Sequence, residues 1–119
     1  MLKTNSKIAR QHVLEHIRTT ASDYLTECGY SIATDAELCT AIKAVYKAEF
    51  WHLPMTQANF KQWGSGLACG GLFDYFLFSA VNVLGDILEE TAEERNRYTE
   101  EQAENVLTYL IYREVTRTR

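Results

Sequence analysis

Between Leu72 and Leu84 only Asp74, Ser79 and Asn82 interrupt a run of apolar and aromatic side chains. A helix over 72–84 is apolar nearly all round, so it has no face to give to water. It belongs in the middle of a fold, or it also feeds an interface. Asp74, Asn82 and Asp86 break the wider stretch 66–88 and argue for a buried helix rather than a membrane span. The rest of the 119 residues must supply the cover.

That cover reads as helices. One proline and six glycines are too few for a turn-rich all-β domain. Thr4, Asn5 or Ser6 caps a first helix that ends near Cys28. Val13, Ile17, Ala21, Tyr24 and Leu25 recur on one of its faces. Gly29 follows as the stop, because glycine enters the left-handed conformation without a Cβ penalty. Thr34-Asp-Ala-Glu37 is a capping box for a second helix, with Leu38, Ile42, Val45, Tyr46 and Phe50 inward and Pro54 beyond its end. Thr56 caps a short third helix over 57–63. Four glycines in Gly64–Gly71 mark a turn or a close approach of two backbones. Gly85 follows the apolar helix, and 86–98 reads equally as an acidic helix or a loop. Thr99-Glu-Glu-Gln102 is a second capping box, and Ala103, Val106, Leu107, Leu110 and Ile111 line the last helix.

The formal net charge is −4, and its distribution says more than its sum. Residues 86–104 hold Asp86, Glu89, Glu90, Glu93, Glu94, Glu100, Glu101 and Glu104 against Arg95 and Arg97. The chain then ends on Arg113, Arg117 and Arg119. This balance gives no general reason to bind nucleic acid, whereas the acidic patch suits a basic protein surface. Its plain alternative is a solvated face. Cys28, Cys39 and Cys69 form no CxxC pair, as expected of free thiols in a reducing cytoplasm. The start MLKTNSKIARQH has no apolar core of a signal peptide.

No motif assembles a catalytic set. His12-Val-Leu-Glu-His16 matches the HxxEH pattern of inverted zinc peptidases, in which histidines four apart share a helix face and hold one metal. Such enzymes also need a third ligand from a second helix and a large substrate chamber, which 119 residues hardly supply, and both histidines turn away from the Val13/Ile17 face. The Gly64–Gly70 run follows a helix, has GxGxxxG spacing and lacks the Lys-Ser/Thr of a phosphate loop, so it reads as close packing. Nothing fixes His52 near Cys69 as its base. Asp74 reads as a helix N-terminal acid near Gly70 and Gly71. The second helix offers Lys43 and Lys47 but no arginine for guanine edges, so a helix-turn-helix is not expected.

The aromatics are the strongest cluster. Fourteen in 119 residues exceed what one small core readily hides, and some are expected to anchor a partner. Phe60-Lys-Gln-Trp63-Gly-Ser-Gly66-Leu67 resembles an F-x-x-W-x-x-G-L pattern of small helical proteins from bacteriophages and bacterial mobile elements. Leu84-Gly85 and the 99–111 helix fit its tail, so the resemblance spans 55–118. Ala68-Cys69 stand where that pattern has Pro-Ser. The resemblance implies an origin, an accessory protein of a phage or plasmid, and no activity.

The expected fold is all-α: one domain over 1–119, a compact bundle of about five helices around a central apolar helix at roughly 72–84. The expected function is a non-enzymatic protein-binding factor of a phage or mobile element. An inhibitor of a host defence complex, anti-CRISPR-like and cytoplasmic, is one such factor. Its binding residues are Trp51, Trp63, Glu89, Glu90, Glu93 and Glu94, the acids occupying a basic nucleic-acid groove on the target. No cofactor, metal, membrane or direct nucleic-acid contact is expected. The alternatives are a regulatory or DNA-associated protein that forms a homodimer through the fourth helix, and a minimal enzyme using Cys69 or the His12/His16 pair.

Overall fold

The computed structural model describes residues 6–67 and 72–117, without the side chains of 6–8, 66–67 and 74–75. Among the described residues there are seven α-helices and no strand: α1 (Ser6–Glu27), α2 (Asp35–Glu49), α3 (Gln57–Gln62), α4 (Asp74–Phe78), α5 (Ala80–Ile87), α6 (Ala92–Arg95) and α7 (Glu100–Thr116). The chain is an all-α bundle.

The helix ends follow local chemistry. At the end of α1, the Gly29 N–H donates to Thr26 O (3.0 Å) and the Tyr30 N–H to Leu25 O (3.1 Å), while Gly29 sits at φ 89°. That pair of bonds requires a left-handed residue at this position. Thr34 opens α2 with a reciprocal box: its hydroxyl accepts from the Glu37 N–H, and the Glu37 carboxylate accepts from the Thr34 N–H, both at 3.1 Å. Hydrogen bonds from the Ser31 and Thr34 side chains hold the Glu37 carboxyl below its ordinary value of 4.5. Thr99 and Gln102 build the same box at α7, as do Thr91 and Glu94 at α6.

The apolar stretch 72–84 is not one helix. It breaks at Ser79 (φ −101°, ψ 33°), which makes no side-chain cap. The break lets two short faces turn separately. Phe76 and Leu77 of α4 are buried, and so are Ala80, Val83, Leu84 and Ile87 of α5. Phe78 is left 81% exposed at the joint. The central position falls to α7 instead, which packs against α1, α2, α3, α4 and α5. Its Ala103, Leu107, Leu110, Ile111 and Val115 are buried, together with Thr108 and Glu114. An amphipathic helix with a wide apolar arc can be wrapped on several sides and keep one strip in water. The glycine-rich segment begins as a π-helical turn over Trp63–Leu67 that continues α3.

Among the described residues, six aromatics lie in the core, and Tyr24, Tyr30, Tyr98 and Tyr112 pack against it half-buried. Trp63 packs on Tyr46 and Phe60 with ring centroids 5.5 Å apart and on Phe73 at 6.1 Å. Such offset and edge-on pairs add to area burial. Among the described residues, the exposed large apolar side chains are Trp51, Phe78 and Tyr109.

Candidate protein-binding surface

The loop after α2 carries the strongest candidate. The Phe50 N–H closes the helix onto Tyr46 O (2.7 Å), and the Leu53 N–H turns back onto Phe50 O (2.9 Å). Pro54 forbids further helix. Core side chains then hold the loop's carbonyls from beneath. The Tyr46 hydroxyl donates to Leu53 O (3.3 Å) and Pro54 O (3.0 Å), and the Tyr112 hydroxyl to Met55 O (3.0 Å). Burial, with Tyr112 adding to it, raises the Tyr46 phenol above the ordinary 10.0. The Asn59 amide adds a bond to Pro54 O (2.9 Å). On this support Trp51 is 80% exposed, in edge contact with His52 (5.4 Å). The indole stands at a shallow hollow of about 380 Å³ floored by Tyr46, Phe50, Leu53 and Met55, with Lys47 beside it.

The structure corrects the other proposed anchor. Trp63 is 0% exposed, so it cannot meet a partner from this fold. Its indole N–H donates to Glu49 (2.9 Å), whose other oxygen accepts from the Tyr24 hydroxyl (2.7 Å). Glu49 thus joins α1, α2 and the π-helical turn. Nothing along the chain marks Glu49 for this role, because its partners are 25 and 14 residues away.

The acidic segment is neither a continuous helix nor a loose loop. Past α5, the Glu89 N–H donates to Asp86 O (3.3 Å) and the Glu90 N–H to Gly85 O (2.8 Å), and Glu89 lies at φ 53°. This is the geometry found at Gly29, with a glutamate in the left-handed position. Arg95 clamps the segment: Nη2 reaches Asp86 (2.8 Å) and Nε donates to Glu90 O (3.2 Å). Its stem crosses Gly85, where any Cβ would collide with it. The four proposed acids divide accordingly. Glu90 accepts from the Tyr98 hydroxyl (2.7 Å), and Glu94 caps α6 and pairs with Arg97 (3.4 Å). Burial first, then the bond to Glu90, raises the Tyr98 phenol above 10.0. Glu89 and Glu93 stand exposed.

His12 and His16 are half-buried rather than exposed, and His16 meets the Phe76 ring edge-on at 5.4 Å. Among the described residues, no three His, Cys, Asp or Glu side chains gather as metal ligands. Cys28 is an exposed thiol and Cys39 a buried one. Cys69 and the side chain of Asp74 lie outside the described residues. No helix among the described residues is long and apolar enough to cross a membrane. No family model matches the chain, and no curated protein or solved structure is significantly similar to it.

Proposed function

We propose that this chain is a non-enzymatic protein-binding factor whose anchor is Trp51. The observation that carries the reading is an 80% exposed indole on a loop already fixed by core hydroxyls. Tryptophans concentrate binding energy at interfaces, and a pre-ordered loop loses little entropy when covered. Glu89 and Glu93 add exposed negative charge in a segment clamped by Arg95. Such a surface favours a basic partner and speeds its association. The resemblance at 60–67 supports an origin in a phage or mobile element. The target class proposed with it is a host defence complex whose basic nucleic-acid groove receives the acidic segment.

The test is a tagged pull-down from nuclease-treated bacterial lysate, run side by side with wild type, Trp51→Ala and the pair Glu89→Lys with Glu93→Lys. One stoichiometric protein on the wild type is expected, lost with Trp51→Ala and weakened by the charge reversal. A partner held equally by all three removes this surface from the reading. An empty wild-type bait that is folded and stable removes protein binding itself.

A further inference from the structure

We infer that the outer face of α7 is the contact surface for a second copy of this chain, with the two α7 helices antiparallel. The face is the strip of α7 that its five packing neighbours leave open. Tyr109 stands in the middle of it, 43% exposed. Asn105 and Arg113 lie one turn to either side on the same stripe. Next to Tyr109, toward the helix N-terminus, is a hollow of about 410 Å³ lined by Arg97, Tyr98, Gln102, Asn105 and Val106. Its rim is fixed, because the Lys61 ammonium donates to Asn105 (2.6 Å). One face therefore carries both a partly exposed ring and a shallow, open hollow beside it.

The charges of this helix are divided by its ends. Glu100 and Glu101 stand exposed in the first turn, Arg113 lies in the last turn, and Arg117 follows as the C-cap. Arg113 has no carboxylate partner among the described residues. Its guanidinium lies over the Tyr109 ring at 5.7 Å, and its Nε makes no hydrogen bond. A two-fold axis across the helix turns these facts into complementarity. If Tyr109 of one copy lies on the shallow hollow beside Asn105 and Val106 of the other, Arg113 lands four residues further along, against Glu101 and Gln102. The same contacts form twice, as a symmetric pair requires. The helix dipoles also oppose favourably. Trp51 is no part of this surface, so the inference stands or falls apart from the binding reading above.

The contact is small and polar, so the expected dimer is weak, of micromolar order, and sensitive to salt. Sedimentation equilibrium of the full chain over about 5–500 μM protein, at low and at high salt, measures it. The expected result is a monomer–dimer equilibrium at low salt that high salt weakens. Tyr109→Ala raises the dimer Kd by at least about tenfold. Arg113→Glu and Glu101→Arg each weaken it, and the two together restore it, because both symmetric pairs are then reversed. Circular dichroism verifies that each variant stays helical. A monomer at every concentration in low salt overturns the inference. So does a dimer indifferent to Tyr109→Ala, or one that the double reversal fails to restore.

Discussion

At the scale of the residue, two helix ends share one geometry and differ in the side chain that occupies it. Gly29 and Glu89 both hold the left-handed position past a helix, at φ 89° and 53°. An L-residue there costs roughly 1–2 kcal/mol of conformational energy, part of which glycine gives back through its freer unfolded chain. Glu89→Gly is therefore expected to raise stability by about 0.5–1 kcal/mol, read from the midpoint of urea unfolding. Gly29→Ala is expected to lower it by about 1 kcal/mol, because nothing crowds a new Cβ there and only the backbone objects. A loss of stability in Glu89→Gly would show that its carboxylate is worth more than its strain. The stop at Gly29 was legible in the letters. The one at Glu89 was not, because glutamate carries no mark of a left-handed residue and the nearby glycine, Gly85, lies inside α5.

At the scale of the element, the three reciprocal boxes support very different amounts of structure. Thr99 opens a helix whose Ala103, Leu107, Leu110 and Ile111 are all buried. Thr91 opens a four-residue helix with no buried residue. The caps are chemically alike, so the difference lies in what each helix is tied to. Thr99→Ala is expected to cost about 1 kcal/mol of global stability in denaturant. Thr91→Ala is expected to leave the global transition within about 0.5 kcal/mol and to speed amide exchange only over 91–97. Equal global losses would mean that α6 folds as one unit with the core. All three boxes are written in the sequence as Thr followed three residues later by Glu or Gln. The break at Ser79 is not written there, since unbroken helical periodicity over 72–84 fits one helix as well as two.

At the scale of the whole molecule, a buried carboxylate ties the two longest helices. Glu114 is 1% exposed and accepts from Arg10 of α1 (3.2 Å) and from Arg117 (3.0 Å). Both arginine side chains still reach water, so the cost of separating the group falls on the carboxylate. Arg10→Ala combined with Arg117→Ala takes both of these guanidiniums from a desolvated carboxylate and is expected to cost about 2 kcal/mol or more. Glu114→Leu removes the buried charge and frees the arginines into solvent, so a smaller loss is expected. Denaturant unfolding of both variants checks the order. If Glu114→Leu is the more costly, the ion pair is net stabilising in place. No spacing rule links positions 104 residues apart, so the sequence alone did not point to this pair.

Some features depend only on neighbours along the chain. These features are the all-α class, the start of α2 and of α7, the stop at Gly29, the end of α2 before Pro54 and the position of the acidic segment. They rest on capping bonds, backbone sterics and apolar spacing that reach no further than a turn or two. Packing set which helix is central, which of two tryptophans faces water and which glutamates stand exposed. Trp51 and Trp63 are the same residue type in similar local company. Trp63 sits over an aromatic cluster and gives its N–H to Glu49, whereas Trp51 stands 80% exposed on the loop after α2. Burial depends on what arrives from elsewhere in the chain, and only packing supplies it.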